Sequence, residues 1–286
     1  MKLLITGAEG MLGRTLVSQF SSEYEVVVGT HKECDITDFD ILCEKLESLR
    51  PDVVIHCAAM TDVDRCEIEA DKAYLVNSIG TKNVARACHQ NKVKLISIST
   101  DYVFDGDSDR PYCETDFADG GTTIYGRSKW LAEEMVRTYC PNHIIARVSW
   151  LYGSGGPSFV HTMLRLADEG QAEIKVVEDQ IGNPTSCAAV SKGLRKLLEK
   201  PEVVGTIHLS CEGEASWYDF AKKIFELAGK TPRLIPCTSE EYRTRAKRPH
   251  NSRLEKRMLR MLGIEAMQQW EEALNEFLIS EKTLTY

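Results

Sequence analysis

A tyrosine and a lysine four residues apart are the side chains best placed for chemistry in this sequence. They are Tyr125 and Lys129 of the segment YGRSK, at the start of the helical pattern Lys129–Tyr139. Side chains at this spacing share one face of a helix. A phenol ordinarily has a pKa of about 10, and a neighbouring cation favours its phenolate form. The pair therefore predicts a proton donor whose pKa is brought toward neutral pH.

Hydroxyl and acidic side chains follow a predicted buried strand. The run Leu95–Ser99 predicts the strand, and Thr100, Asp101 and Tyr102 come next. Doubly wound folds bind their ligands at the carboxyl ends of parallel strands. Thr100 is then in position to hydrogen-bond a substrate carbonyl or the phenol of Tyr125. The alternative is that Thr100 and Asp101 only cap a turn.

A glycine-rich turn near the first residue predicts a dinucleotide site. The segment GAEGMLG follows a predicted strand and opens the predicted helix Met11–Phe20. In such a turn Gly7 permits the tight bend, Gly10 lets the backbone approach a pyrophosphate, and Gly13 lets helix and strand pack closely. The residues expected to contact the cofactor here are Gly7, Gly10, Met11, Leu12 and Gly13. An ordinary glycine-rich turn is the alternative.

The end of the second strand bears on the choice between NADPH and NADH. An acid that selects NAD usually stands there, but this strand continues into Gly29-Thr30-His31-Lys32. His31 and Lys32 can tolerate a 2′-phosphate, so we expect NADPH, with NADH as an open alternative. Asp35, followed by Ile36, is the next candidate for contact with the cofactor. Alternatively, Asp35 caps the helix that follows.

The elements that must position these residues alternate along the first two-thirds of the chain. The strand candidates are Leu3–Thr6, Glu25–Val28, Val53–His56, Leu95–Ser99 and Ile144–Val148. The helical patterns between them are Met11–Phe20, Phe39–Leu49, Ile79–Gln90 and Lys129–Tyr139. This alternation predicts an α/β fold with a doubly wound parallel Rossmann sheet. Small side chains at Ala58 and Ala59, after the third strand, leave room for a cofactor.

The pattern loosens after Val148. Further elements are predicted at Phe159–Asp168, Cys187–Leu198, Gly205–Ser210 (a strand) and Trp217–Ala228, with Thr238–Tyr286 mostly helical. We assign residues 1–150, with a return at about 186–212, to a dinucleotide-binding domain. Residues of about 151–185 and 213–286 are assigned to a smaller, mostly helical substrate-binding lobe.

Composition excludes several classes of function. The net charge of −8 and a pI of about 5.5 argue against a general nucleic-acid surface. No apolar run approaches the roughly 20 residues that span a membrane, so no membrane partner is expected. Ten dispersed cysteines without a CxxC pair, and no apolar leader, indicate reduced thiols in a cytoplasmic protein. No histidine or cysteine pair has metal-site spacing, so no metal is expected.

Together these residues resemble the extended short-chain dehydrogenase/reductases and, more narrowly, the dTDP-4-dehydrorhamnose reductase family. The resemblance runs in order along almost the whole chain. Its segments are GAEGMLG at 7–13, DITD at 35–38, RPDVVIHCAAMTDVDRCE at 50–67, STDYVFDG at 99–106, YGRSK at 125–129, RVSWLYG at 147–153, DQIGNPT at 179–185 and RPHNSRL at 248–254. The chain departs from the family at Cys57, where asparagine is usual, and at Gly121–Thr123.

The resemblance implies a reductase that transfers a hydride from NAD(P)H to the C4 keto group of a nucleotide-linked 6-deoxy sugar. This would serve dTDP-L-rhamnose and cell-surface polysaccharide synthesis. It implies Thr100, Tyr125 and Lys129 as the catalytic triad. It also places Asp101, Tyr102 and Trp150 near the sugar and the nicotinamide. Whether the protein forms a homodimer is left as an alternative.

The densest basic stretch is RAKRPHNSR at 245–253. A nucleotide diphosphate carries charge that must be met once it leaves water, and arginine contacts phosphate oxygens in pairs. We therefore expect at least one of Arg248, Asn251, Ser252 and Arg253 to face the substrate nucleotide or line its cleft. A solvated loop is the alternative.

Two other functions remain. A nucleotide-sugar epimerase or dehydratase is one, but dehydratases typically carry Asp-Glu after the threonine, whereas Asp101 and Tyr102 stand here. A non-catalytic subunit that binds NADP is the other. The intact pair of Tyr125 and Lys129 disfavours it.

Overall fold

The computed structural model describes residues 1–171 and 173–284. Its strands are β1 (Lys2–Thr6), β2 (Glu25–Gly29), β3 (Val53–His56), β4 (Lys94–Thr100), β5 (His143–Val148), β6 (Leu151–Tyr152), β7 (Glu173–Val177), β8 (Ile181–Gly182), β9 (Thr185–Ser186), β10 (Gly205–His208), β11 (Ala215–Ser216), β12 (Arg233–Cys237) and β13 (Asn251–Ser252). Its α-helices are α1 (Met11–Phe20), α2 (Phe39–Leu49), α3 (Val63–Ile68), α4 (Ala70–Tyr74), α5 (Thr81–Gln90), α6 (Ile124–Tyr139), α7 (Phe159–Asp168), α8 (Cys187–Leu198), α9 (Trp217–Ala228), α10 (Arg257–Met261) and α11 (Trp270–Leu284).

Six parallel strands form the central sheet, in the order β10-β5-β4-β3-β1-β2. Strand order reverses between β1 and β3, which opens a crevice at their carboxyl ends. Successive residues of β1 face opposite sides: Leu3 and Ile5 pack in one core, and Leu4 packs in the other. Both faces are therefore covered, and the predicted doubly wound parallel sheet is confirmed.

Local sequence explains why most helices begin where predicted. Asp38 caps α2, Ser186 caps α8, and Ser216 with Asp219 forms a capping box at α9. The helix α6 begins at Ile124, earlier than the pattern Lys129–Tyr139, because the Thr123 hydroxyl accepts a hydrogen bond from the Gly126 N–H.

The segment before α5 differs from the prediction. The pattern Ile79–Gln90 predicts one helix, but a π-helical turn at Leu75–Gly80 precedes α5. Such turns are rare and often occur at functional sites. The short helices α3 and α4, before this turn, were not predicted.

The chain after β5 combines helices with short strands. β7 pairs with β12, and β8 lies between β11 and β13. The prediction that Thr238–Tyr286 is mostly helical is wrong for its first part, since the next helix after α9 is α10. Between β12 and α10 the chain forms a loop and the short strand β13. Thr285 and Tyr286 lie outside the described residues, and the division into two domains stays a prediction.

All ten cysteines are free thiols, and eight of them are buried. In the ranges 1–171 and 173–284, no helix has both the length and the apolar character needed to cross a membrane.

Candidate active site

One cleft at the carboxyl edge of the sheet gathers most of the predicted site residues. Its cavity has a volume of about 370 Å³. The predicted residues that line it are Gly7, Gly10, Met11, Leu12, Gly13, Ala59, Thr100, Asp101, Tyr102, Tyr125, Lys129 and Trp150. The candidate cofactor turn and the candidate proton donor therefore face the same space, while the role of each residue stays a prediction.

Of the three glycines in the turn, one has space for a β-carbon and two do not. Gly7 has a left-handed φ of 65°, and a β-carbon there would lie 2.5 Å from the Ala58 nitrogen. A β-carbon at Gly13 would overlap the Gly7 carbonyl. At Gly10 the nearest atom among the described residues would be the Gly7 oxygen, at 3.3 Å. Gly10 also leaves the first N–H groups of α1 without a side-chain cap, so this cradle fits a pyrophosphate.

A buried polar network links this turn to α6. The Thr6 hydroxyl lies 2.7 Å from His56 Nδ1, and His56 Nε2 lies 3.0 Å from Thr81 Oγ1. Thr81 donates its own proton to the Asn77 carbonyl (2.6 Å), so Nε2 must donate to Thr81 and Nδ1 accepts from Thr6. Burial, followed by the charge of Lys129, lowers the pKa of His56 to about 3, so the ring is neutral.

Asn77, on the π-helical turn, continues the network. Its amide nitrogen donates to Ser128 Oγ (2.9 Å), and the Ser128 hydroxyl donates to the Tyr125 carbonyl (2.8 Å). Its Oδ1 accepts from the Met60 N–H (2.7 Å). Sequence reasoning missed Asn77. It could have been noticed as the amide side chain within the largely apolar segment LVNSIG.

The helix α6 aims Lys129 and Tyr125 into the cleft. Lys129 is buried, and its Nζ donates to the Ile98 carbonyl at 2.7 Å. Burial lowers the pKa of Lys129 to about 8, against the opposing effects of Glu133 and Cys57. Burial raises the pKa of Tyr125 well above its ordinary value, the Thr100 hydroxyl lowers it, and Asp101 raises it. The net shift is upward, so the phenol is protonated in this arrangement, and the expected effect of the Lys129 cation on it stays a prediction.

The sheet register explains why Thr100 stands at the edge of the cleft. His56, at the end of β3, pairs with Ser97, and β4 continues for three more residues to Thr100. Thr100 Oγ1 donates to Asp101 Oδ1 (3.0 Å) and accepts from the Tyr102 N–H (3.2 Å). The prediction that Thr100 caps a turn is confirmed, and Thr100 also lines the cleft, where its contact with a substrate carbonyl or the Tyr125 phenol stays a prediction.

Asp101 is a buried carboxyl group with an unused oxygen. It is 4% exposed, and its Oδ2 has no hydrogen-bond partner among the described residues. Burial raises the pKa of Asp101 to about 6, although the hydroxyls of Ser252 and Thr100 lower it. Asp101 can therefore accept a hydrogen bond from a ligand hydroxyl, or donate one when protonated.

Two stacked tryptophans form one wall of the cleft. Trp150, which has a left-handed φ of 46°, lies parallel to Trp217 with ring centroids 3.6 Å apart. Gly182 lies against Trp150, and a β-carbon at this position would overlap the indole ring. Sequence reasoning missed Trp217; its signal was an aromatic residue directly after a helix cap.

A second cavity, of about 390 Å³, shares Trp217 with the cleft and contains Arg248. Arg248 Nη2 forms an ion pair with Asp64 Oδ2 at 2.7 Å. Burial and the charge of Asp101 raise the pKa of Tyr102, and the charge of Arg248 opposes part of this rise. The basic loop thus brings Arg248 to the neighbourhood of the cleft.

The other residues of this loop have structural partners. Asn251 donates to the carbonyls of Ser108 (2.7 Å) and Arg110 (2.8 Å) and accepts from the Arg253 N–H. Ser252 is buried behind Asp101 and does not line the cleft. The expectation that Asn251 faces the ligand finds no support in this geometry, because its amide is already saturated.

The remaining cofactor candidates lie away from the cavity. His31 and Lys32 are exposed, after β2. Asp35 accepts hydrogen bonds from the N–H and hydroxyl of Thr37 (2.9 and 2.8 Å), so the idea that it caps the next helix is wrong; Asp38 does so. The Ile36 side chain is buried in the core, so any contact with a cofactor falls to its backbone. The backbone of Ala58 packs against Gly7 and leaves no space for a side chain there.

The chain is similar to known proteins over nearly its full length. A family model described as RmlD substrate binding domain matches residues 1–283. The spore coat polysaccharide biosynthesis protein SpsK of Bacillus subtilis is 42% identical over 278 residues, which cover 97% of this chain and 96% of that protein. A dTDP-4-dehydrorhamnose reductase of Mycolicibacterium smegmatis is 39% identical over 279 residues (96% and 84%).

The fold is also similar to that of a solved structure. The dTDP-4-dehydrorhamnose reductase of Bacillus anthracis, in complex with NADP, superimposes with a TM-score of 0.94 at 41% identity, and the match covers 98% of this chain and 99% of that one. Sequence and fold agree over nearly the full length. The chain belongs to the dTDP-4-dehydrorhamnose reductase family.

Proposed function

We propose that this chain reduces the C4 keto group of a nucleotide-linked 6-deoxy sugar with NADPH, and that dTDP-4-dehydrorhamnose is its substrate. The observation that carries the proposal is the meeting of Thr100, Tyr125 and Lys129 with the open glycine cradle in one cleft. A bound reduced nicotinamide supplies the hydride. The names of the relatives support the choice of sugar.

In this reaction Tyr125 gives its proton to the oxygen of the carbonyl as charge develops there. Thr100, beside the phenol, orients the carbonyl and stabilises that charge. Lys129 has three N–H donors and uses one on Ile98, which leaves donors for a ribose hydroxyl of the cofactor. These three residues are the catalytic triad that the resemblance implied.

The substrate occupies the other end of the cleft in this proposal. The unpartnered Oδ2 of Asp101 suits a sugar hydroxyl, with Tyr102 and Trp150 beside it. Arg248, in the adjoining cavity, suits the diphosphate. We retain residues 1–150 and 186–212 as the cofactor domain and the rest as the substrate lobe.

The setting of the reaction is part of the same proposal. Free thiols are typical of a reducing compartment, which supports a cytoplasmic location. The name of the spore coat relative supports a role in cell-surface polysaccharide synthesis. A homodimer is retained as an alternative to a monomer, and light scattering coupled to gel filtration decides between them.

A spectrophotometric assay of NADPH oxidation tests the function. Purified protein is incubated with a panel of nucleotide-linked 4-keto-6-deoxy sugars, and we expect turnover with the dTDP sugar. Tyr125→Phe should lose roughly 10²- to 10⁴-fold in kcat, since that is the typical contribution of a positioned acid. Tyr139→Phe, on the same helix but outside the cleft, is the matched control. NADPH binding without turnover of any sugar would instead indicate a non-catalytic subunit.

A further inference from the structure

Glu133 is a buried carboxylate on α6 that the proposed reaction does not use. Its side chain is 2% exposed. Oε1 accepts from the Ser99 hydroxyl (2.6 Å) and from Arg147 Nε (2.8 Å). Oε2 accepts from Arg147 Nη2 (2.7 Å) and from Arg137 Nη2 (2.8 Å). Burying an ion pair seldom adds stability by itself. We therefore expect a functional role for this buried carboxylate.

The position of Glu133 ties it to the catalytic face of α6. Tyr125, Lys129 and Glu133 are spaced by four residues, so they occupy successive turns of one face. Lys129 contacts the carbonyl of Ile98, and Glu133 contacts the hydroxyl of the next residue, Ser99. Two consecutive residues of β4 therefore hold two consecutive turns of the helix, directly before Thr100.

Glu133 also lies among buried cations. Arg147, on β5, is 2% exposed and packs over the Phe104 ring, and Arg137 is partly exposed. Burial raises the pKa of Glu133, but hydrogen bonds and attraction from Arg147, with Ser99 and Arg137, lower it to about 2. Glu133 therefore stays ionised at every working pH.

Few other groups around Lys129 carry charge. Burial raises the pKa of the Cys57 thiol to about 12, so this thiol is neutral. His56, on β3, is neutral as well. Burial raises the pKa of the Tyr125 phenol, which is neutral before reaction. Glu133 is then the charged group that offsets the burial of Lys129.

We propose that Glu133 is a positioning residue that keeps the Lys129 ammonium charged in the cleft and holds β4 against α6. The proposal rests on the proposed function, since that function gives Lys129 its role. A charged ammonium can donate to a ribose hydroxyl and favour the phenolate of Tyr125; a neutral amine does both poorly. The neighbouring network of Arg147 and Ser99 fixes where the carboxylate stands.

The test is a direct titration of Lys129. Protein labelled with ¹³C at lysine Cε is titrated by NMR, and Lys129→Met identifies the resonance. Glu133→Gln should lower the midpoint of Lys129 by about one pH unit or more, as expected for loss of an opposite charge at close range. Glu134→Gln, at the exposed neighbour that pairs with the same Arg137, should leave the midpoint unchanged.

The pH profile of kcat/KM gives a second readout. A lysine is charged below its pKa, so activity that needs the ammonium is lost as the pH rises through that value. Because removal of Glu133 lowers the pKa of Lys129, the alkaline limb should move to lower pH in Glu133→Gln by the same amount. A purely structural role would reduce activity at all pH values without moving the limb.

Folding of the variant needs its own safeguard, because Glu133→Gln leaves Arg147 unpaired in the core. The double variant Glu133→Gln/Arg147→Met removes both charges, and circular dichroism reports whether it is folded. The Lys129 midpoint of the double variant is compared with that of Arg147→Met, so that the two proteins differ only at residue 133. An unchanged midpoint in this comparison, or in folded Glu133→Gln compared with the wild type, overturns the proposal. The NMR titration needs no substrate, so its outcome is independent of whether the wild type reduces any sugar.

Discussion

Trp150 stacks on Trp217 with ring planes within 6° of parallel and centroids 3.6 Å apart. Trp150 stands two residues after β5 of the central sheet, whereas Trp217 begins α9 and donates to Gln180 Oε1 at 3.1 Å. The pair therefore joins the end of the central sheet to α9 at the cleft. Trp217 also borders the second cavity, so one indole separates the two spaces.

We expect Trp217→Ala to raise KM for the nucleotide sugar and leave the Kd for NADPH unchanged. An aromatic pair contributes about 0.5–1.5 kcal/mol, so the rise should be up to roughly tenfold. Tyr218→Ala, at the next residue of α9 but outside the cleft, is the control. Steady-state kinetics measure the effect, and equal KM values for the two variants would contradict it.

Two substitutions in the glycine turn should have different effects, one on cofactor binding and the other on folding. Gly10→Val should fold but lose NADPH binding in calorimetric titration, because its side chain would enter the space of the pyrophosphate. Gly13→Val should fail to fold stably, since its β-carbon would overlap the Gly7 carbonyl. Circular dichroism and thermal melting separate the two outcomes. Wild-type affinity in Gly10→Val would exclude this turn as the phosphate site.

The choice of cofactor depends on the exposed residues after β2. Lys32→Ala should raise KM for NADPH by up to about fivefold and leave that for NADH unchanged, since an exposed ion pair is worth up to about 1 kcal/mol. Lys222→Ala, an exposed lysine on α9, controls for net charge. The wild type should use NADPH at least as well as NADH. A strong preference for NADH would defeat the prediction.

The sequence was informative where chemistry depends on neighbours along the chain. The glycine turn, the start of α1 and the pair of Tyr125 and Lys129 are local patterns, and each could be identified from spacing. The order of apolar runs was enough to predict the parallel sheet. Thr100 could be predicted at the cleft because it ends a parallel strand, and ligands bind at the carboxyl ends of such strands.

Features that depend on distant partners could not be predicted. Glu133 and Lys129 at helical spacing look like a surface pair, and only Arg147, from β5, makes Glu133 a buried ion. The strand β7 finds its partner in β12, beyond α8 and α9. Asn251 looked like a ligand contact, but it is saturated by the loop at Ser108 and Arg110.

Asp101 should make stability depend on pH. Its pKa is about 6 in the folded protein and about 3.9 in an unfolded chain, so between these values the folded state binds more protons. Stability is therefore full below about pH 4 and is lost as the pH rises through 6, by up to about 3 kcal/mol. Asp101→Asn removes this loss.

Urea unfolding at a series of pH values measures the effect. The difference in unfolding free energy between Asp101→Asn and the wild type should grow in favour of the variant from pH 4 to pH 7. Asp107→Asn, at an exposed aspartate of the following loop, should track the wild type. A difference that stays constant across the range would show that Asp101 does not titrate there.

Arg248 is the residue of the basic loop at which binding of the nucleotide sugar can be tested. It lines the second cavity and pairs with Asp64, which also accepts from the Ala246 N–H at 2.8 Å, so one carboxylate holds both the loop and the guanidinium. Arg248→Ala should raise KM for the nucleotide sugar about ten- to hundredfold, because a charge-assisted hydrogen bond is worth about 1.5–3 kcal/mol. The Kd for NADPH should not change.

Arg245→Ala controls for loss of a positive charge from the same loop, because Arg245 is exposed and does not line either cavity. Kinetics at two ionic strengths add a further criterion. A direct contact between Arg248 and phosphate should survive added salt better than long-range attraction, which salt screens over about 10 Å. If Arg248→Ala and Arg245→Ala raise KM equally, and added salt abolishes both effects, the loop attracts the substrate by its net charge and Arg248 makes no specific contact.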